Sequence, residues 1–120
     1  MTKYKIKLNT GLEISFENDG LDVKELVQGF NTNDLLFTSI GGSFLNKHSI
    51  VYVAPEIEDK EECDYKVSLN NQDVLDLKLE EENFSEVDFV EKLNSPGNYF
   101  ITFGGAIFQK HMLNTLIKVK

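Results

Sequence analysis

The chain contains no arginine and no tryptophan, and only one cysteine among its 120 residues. A single cysteine, Cys63, excludes an intrachain disulfide and any metal site built from several thiolates. Without arginine the protein lacks the side chain best suited to bidentate phosphate binding. No apolar run is long enough to span a membrane, and residues 1–5 lack the apolar segment of a secretory signal. We therefore expect a cytoplasmic protein with no membrane partner.

The chain is rich in negative charge. The chain has twenty Asp and Glu residues but only twelve cationic residues, all of them lysine, so the net charge is −8. Residues 56–64 carry a net charge of −5, and residues 80–91 contain six acids and no lysine. The one basic strip is formed by Lys3, Lys5 and Lys7. Because affinity for a phosphate backbone comes from clustered cations, direct nucleic-acid binding is not expected, and a basic protein surface is the better partner.

Two halves of the sequence resemble each other. Residues 40–48 recur as residues 103–111, an offset of 63 positions. Apolar positions match at this offset back to Leu12, and before Leu12 the offset falls to 61, so that Tyr4 matches Tyr65. We place the two extra residues of the second half in the turn after its first strand, because turns tolerate insertions.

Each half is predicted to be a ββαββ unit, so the fold class is α+β, with mostly antiparallel sheet and two short helices. Alternating apolar and polar residues predict the strands, with a last strand after each Lys-His pair. Capping signals predict the helices, with Asp22 and Ser85 as N-caps. The apolar helix faces are expected to pack on the sheet, with Phe30 and Leu93 buried. These faces comprise Leu26, Val27 and Phe30 in the first half and Phe89, Val90 and Leu93 in the second.

The predicted domain organisation is a tandem pseudo-two-fold repeat. Residues 1–54 form the first repeat, residues 55–62 an acidic linker, and residues 63–120 the second repeat. A unit of this size has a marginal core of its own, so we expect both repeats to pack as one globule.

The leading functional hypothesis is a protein-binding surface made of acidic residues. Ser85 and Asp88 already meet the needs of the second helix N-terminus, so the remaining acids around it are in excess. A basic surface on a partner would relieve their mutual repulsion and be steered toward them. The candidate residues are Glu80, Glu81, Glu82, Glu86 and Glu91.

A second hypothesis concerns the two Gly-Gly…Lys-His elements. Glycine amides at positive φ can form an anion-binding turn, to which lysine and histidine would add charge and a titratable donor. The site would then bind a small anionic or nucleotide ligand. The alternative is that Gly-Gly simply closes a hairpin. The candidate residues are Gly41, Gly42, Lys47, His48, Gly104, Gly105, Lys110 and His111.

Catalysis, a cofactor and a metal are not expected. His48 and His111 occupy equivalent positions, which argues against a division of labour between acid and base, and two ligands are too few for a metal. Acidic neighbours raise the pKa of a thiol, which disfavours Cys63 as a nucleophile. A structural or assembly role is a third alternative, and a homo-oligomer is left open.

In composition and size the chain resembles small accessory proteins encoded by phages and prophages of AT-rich Gram-positive bacteria. It is short, acidic, rich in lysine and asparagine, and free of arginine. The resemblance implies a non-enzymatic inhibitor directed at host defence or nucleic-acid-handling machinery. It assigns no role to any individual residue.

Overall fold

The computed structural model describes residues 2–31, 37–40, 42–56, 63–78, 85–95 and 99–119. It confirms the α+β class, with mostly antiparallel sheet and two short helices. The predicted last strand after each Lys-His pair is confirmed, so each half contains five strands, one more than the ββαββ description counts. In chain order the elements are β1 (Thr2–Leu8), β2 (Glu13–Asn18), α1 (Val23–Phe30), β3 (Phe37–Ile40), β4 (Ser43–Asn46), β5 (Ile50–Pro55), β6 (Tyr65–Leu69), β7 (Val74–Leu77), α2 (Glu86–Asn94), β8 (Phe100–Phe103), β9 (Ala106–Gln109) and β10 (Leu113–Lys118).

Within these residues the strands form three antiparallel sheets. A five-stranded sheet has the order β2-β1-β5-β9-β8, a three-stranded sheet the order β10-β6-β7, and β3 pairs with β4. The β2-β1-β5 and β7-β6-β10 groups share one register, since Ile6 lies opposite Val53 and Val67 lies opposite Leu116. The five-stranded sheet combines β1, β2 and β5 of the first half with β8 and β9 of the second half. The pseudo-two-fold packing of whole repeats stays a prediction.

The first hairpin turn has the same length in both halves, so the predicted two-residue insertion in this turn is wrong. Leu8 N donates to Leu12 O, and Leu69 N donates to Asp73 O, both at 3.0 Å. Beyond the turn Tyr4 still faces Phe16, and Tyr65 faces Leu77. The strands thus keep the offset of 61, and the extra residues lie between β7 and α2. Alternation has a period of two, so it cannot distinguish an offset of 61 from 63.

The five-stranded sheet is covered on both faces. Its β5 strand is buried from Ile50 to Ala54 and contributes side chains to both clusters. Val51 and Tyr52 enter the same cluster, because the register between β1 and β5 shifts at this point. The first cluster joins the sheet to α1 and to the β3–β4 hairpin: Ile6, Leu8, Phe30, Ile40, Leu45, Ile50, Val53, Phe100 and Ile107. The second cluster joins the opposite face to β6 and β7: Val51, Tyr52, Ala54, Tyr65, Val67, Leu69, Leu77, Ile101, Phe103, Ala106 and Phe108.

The two helices are capped as predicted but packed differently. Asp22 accepts a hydrogen bond from Glu25 N at 3.2 Å, and Ser85 accepts one from Asp88 N at 3.3 Å. Phe30 is 2% exposed, which confirms its prediction. Leu93 is only half-buried, and α2 contains no buried residue at all. The reason is that α1 packs against the β8–β9 hairpin, whereas α2 makes no comparable set of contacts.

Neither described helix is long and apolar enough to cross a membrane.

Candidate protein-binding surface on the second helix

The α2 helix carries the described part of the predicted acidic surface. Glu86 and Glu91 are both exposed. Glu86, like Asp88, lies in the first helical turn, where negative charge interacts favourably with the helix dipole. Glu91 lies beyond that turn, so its charge gains no comparable stabilisation from the helix dipole. Glu80, Glu81 and Glu82 fall outside the described residues.

Two valines accompany these acids on the surface of α2. Val87 is 69% exposed and Val90 is 52% exposed. Val87 and Glu91 are four residues apart and lie on one side of the helix. Val90 matches Val27 of α1, which is half-buried, and its predicted place in a packed face is wrong because α2 packs less closely than α1. The helix thus presents carboxylates and apolar groups together.

A groove of about 520 Å³ separates α2 from β10. Its apolar lining includes Phe89, Val90 and Leu93 from the helix and Leu113 and Leu116 from the strand. Charged groups at its border include Lys110 and Lys118 as well as Glu86 from the helix. Sequence analysis missed this groove, because matched apolar positions predicted that α2 would be packed like α1.

Gly42 lies in the turn of the β3–β4 hairpin, and Gly104 and Gly105 lie in the turn of the β8–β9 hairpin. Gly42, Gly104 and Gly105 have φ values of +83°, +58° and +76°, which side chains rarely adopt. A Cβ atom on Gly104 would lie 3.1 Å from Lys78 O, so this glycine also permits a close approach between the hairpin and β7. Gly41 falls outside the described residues. Hairpin geometry alone accounts for the three glycines that are described.

The Lys-His pairs lie on single turns of 3-10 helix, Lys47–Ser49 and Lys110–Met112. Lys47 is buried, and Lys110 donates a hydrogen bond to Ser95 O at the end of α2. A lysine there stabilises the helix C-terminus.

His48 and His111 are exposed. Their backbone carbonyls accept hydrogen bonds from Gln109 and Asn70 at 3.1 and 2.9 Å. In each turn the side chain of the histidine is more exposed than that of the lysine before it.

No group of three His, Cys, Asp or Glu side chains in the described part of the chain could hold a metal ion. Cys63 is buried, and its thiol donates to Tyr65 O at 3.0 Å.

The basic strip on β1 is matched by acids. Lys3 lies 3.9 Å from Glu56, Lys5 lies 3.8 Å from Glu13, and Lys7 lies 3.1 Å from Glu13. Asp73 of the second half approaches Lys7 to 3.7 Å. The hydrogen bond from Lys7 to Glu13 raises the pKa of the lysine and lowers the pKa of the carboxyl group. The strip therefore offers little net positive charge to a polyanion.

No known protein family, curated protein or solved structure matches this chain. The case for a function therefore rests on its own residues and their arrangement.

Proposed function

We propose that this protein is a non-enzymatic inhibitor that binds a basic surface of another protein through the exposed side of α2. The observation that carries the proposal is that α2 buries none of its residues while displaying Glu86, Glu91, Val87 and Val90. Exposed apolar groups bordered by charge are typical of helix surfaces that bind a groove on a partner.

The chemistry of the surface defines the partner. Lysine and arginine side chains would face Glu86 and Glu91, and a shallow apolar depression would receive Val87 and Val90. Carboxylates at the rim of an interface mainly accelerate association, so binding should weaken as salt screens them. Glu80, Glu81 and Glu82 belong to the same proposal through their sequence position before the helix.

The resemblance to phage and prophage accessory proteins guides the choice of target. A cytoplasmic host protein that handles nucleic acid, including a component of a defence system, has the basic groove this surface requires. Occupying such a groove would block its normal ligand without any chemical step. The partner is therefore expected to bind nucleic acid and this protein competitively.

The test is affinity capture from a bacterial lysate with the wild-type protein and two double variants. Glu86→Lys with Glu91→Lys reverses the charge on α2. Glu17→Lys with Asp19→Lys makes the same change in net charge at exposed positions of the first half. We expect nucleic-acid-binding proteins that are captured by the wild type and by the second variant, and lost with the first.

Association kinetics supply the decisive measurement for any captured protein. Association rates measured at low salt should fall for the α2 variant and stay unchanged for the control variant. Capture of the same proteins by all three forms would remove α2 from the interface and overturn the proposal.

A further inference from the structure

One strand pairing between the halves lacks a counterpart. Strand β9 pairs with β5, with Phe108 opposite Tyr52 and Ile107 opposite Val53. The shared register of the two three-stranded groups makes Leu116 of β10 the equivalent of Val53. The equivalent of Ile107 is Phe44 of β4. Within the described ranges, however, β10 pairs only with β6, and β4 pairs only with β3.

The β3–β4 hairpin exposes the side chains that the β8–β9 hairpin buries. Ile107 is fully buried, whereas its equivalent Phe44 is 81% exposed. Phe100 is 3% exposed, whereas its equivalent Phe37 is 62% exposed. Strand β10, which lies at the edge of its sheet, likewise exposes Ile117 to 57%. An open edge with apolar side chains is a template for pairing with another strand.

The structure shows how such a hairpin is held at the first helix. The Phe100 ring packs edge-on against Phe30 at a centroid distance of 5.0 Å. The side chain of Asn31, at the end of α1, forms hydrogen bonds with both the carbonyl and the N–H group of Phe100. Its amide donates to Phe100 O at 3.0 Å, and its oxygen accepts from Phe100 N at 2.9 Å.

Helix α2 carries the residues that are equivalent to those holding the β8–β9 hairpin at α1. Asn94, the equivalent of Asn31, stands exposed at the end of α2. Beside it lies the groove of about 520 Å³ between α2 and β10. Leu93 and Leu116 line this groove, as Phe30 and Val53 line the first cluster.

We propose that the groove between α2 and β10 binds the β3–β4 hairpin of a second copy of this chain. Phe44 of one copy lies opposite Leu116 of the other in an antiparallel pair, and Asn94 binds the backbone of Phe37. Each copy offers one hairpin and one groove, so two copies satisfy both by reciprocal exchange. The hairpin supplies backbone hydrogen bonds and aromatic side chains, as in β-strand addition.

The occupant is a second copy because the chain's own hairpin is held elsewhere. Ile40 and Leu45 of the hairpin are buried in the first cluster. Leu113 and Leu116 of β10 pack against the second cluster, on the opposite face of the five-stranded sheet. The pairing relies on apolar contacts and backbone hydrogen bonds. Glu86 and Val90 also line the groove, so the second copy and the basic partner proposed for α2 would compete for part of the same surface.

Sedimentation measured from low micromolar to near-millimolar concentration tests the pairing. We expect the average mass of the wild-type protein to rise from one chain toward two. Phe44→Asp should hold the mass at one chain across the range. The matched control is Val74→Asp, which changes another exposed apolar residue, 59% exposed on β7, and should associate like the wild type. A wild-type mass of one chain at every concentration would overturn the proposal.

Disulfide trapping tests the register and the identity of the occupant. Phe44→Cys and Leu116→Cys are made separately in a Cys63→Ser background, mixed, and oxidised with glutathione disulfide. We expect a covalent dimer that joins the two different variants. The double variant oxidised at high dilution provides the opposing result: a disulfide within a single chain would show that its own hairpin fills the groove. Absence of the mixed dimer would also contradict the proposed register.

Discussion

Tyr52 shows how deeply a single polar side chain sits between the two halves. It is 2% exposed and belongs to the second cluster. Burial, together with repulsion of the phenolate by Asp73, Glu13 and Glu56, raises its pKa from 10.0 to about 12. The folded protein therefore favours the neutral phenol.

This shift predicts a loss of stability in alkali. Because the folded pKa lies above the unfolded one, the stabilisation is complete below pH 10 and is lost as the pH rises toward 12. Tyr52→Phe should make the fall in unfolding free energy shallower over this range, as measured by urea denaturation at several pH values. The control is Tyr99→Phe, at a position 52% exposed, which should keep the wild-type slope. Equal slopes for Tyr52→Phe and wild type would refute the assignment.

At the scale of elements, the two helices invite a direct comparison. Phe30→Ala removes a fully enclosed ring and should lower the unfolding free energy by about 3–5 kcal/mol. Leu93→Ala removes a half-buried side chain beside an open groove and should cost about 1–2 kcal/mol. Denaturation midpoints, compared at equal slope with urea concentration, measure both losses. Equal losses would mean that α2 is packed as closely as α1.

The same elements show what the sequence could predict. Capping residues, hairpin glycines and alternating strands act locally, so their positions follow from a few neighbouring residues. The exposure of Val90 could not be predicted, because it depends on how closely each helix packs against strands distant in sequence. The pairing of Asp73 with Lys7 was equally hidden, since the two residues come from different halves. The acids at Glu80, Glu81 and Glu82 stay a prediction.

At the scale of the whole molecule, the halves are joined through one shared sheet. Strands β8 and β9 of the second half extend the sheet that β1, β2 and β5 begin. Phe100 and Ile107 complete the cluster around Phe30. Sequence similarity between the halves could not reveal this, because it shows which residues correspond and not which ones touch.

This dependence predicts the behaviour of separated halves. A fragment of residues 1–56 lacks Phe100 and Ile107, so it should show no cooperative thermal unfolding by circular dichroism. Addition of a fragment of residues 63–120 should restore a cooperative transition. Cooperative unfolding of the first fragment alone would show that its cluster is complete without β8 and β9.

The bonds between Asn31 and Phe100 span 69 positions of the chain, and this has a consequence for biosynthesis. The first half leaves the ribosome before the strands that complete its sheet have been translated. At about 5–20 residues per second, the nascent chain waits several seconds with Phe30 uncovered. During that interval the first half depends on chaperones or on rapid elongation, so slow codons between the halves should lower the yield of folded protein.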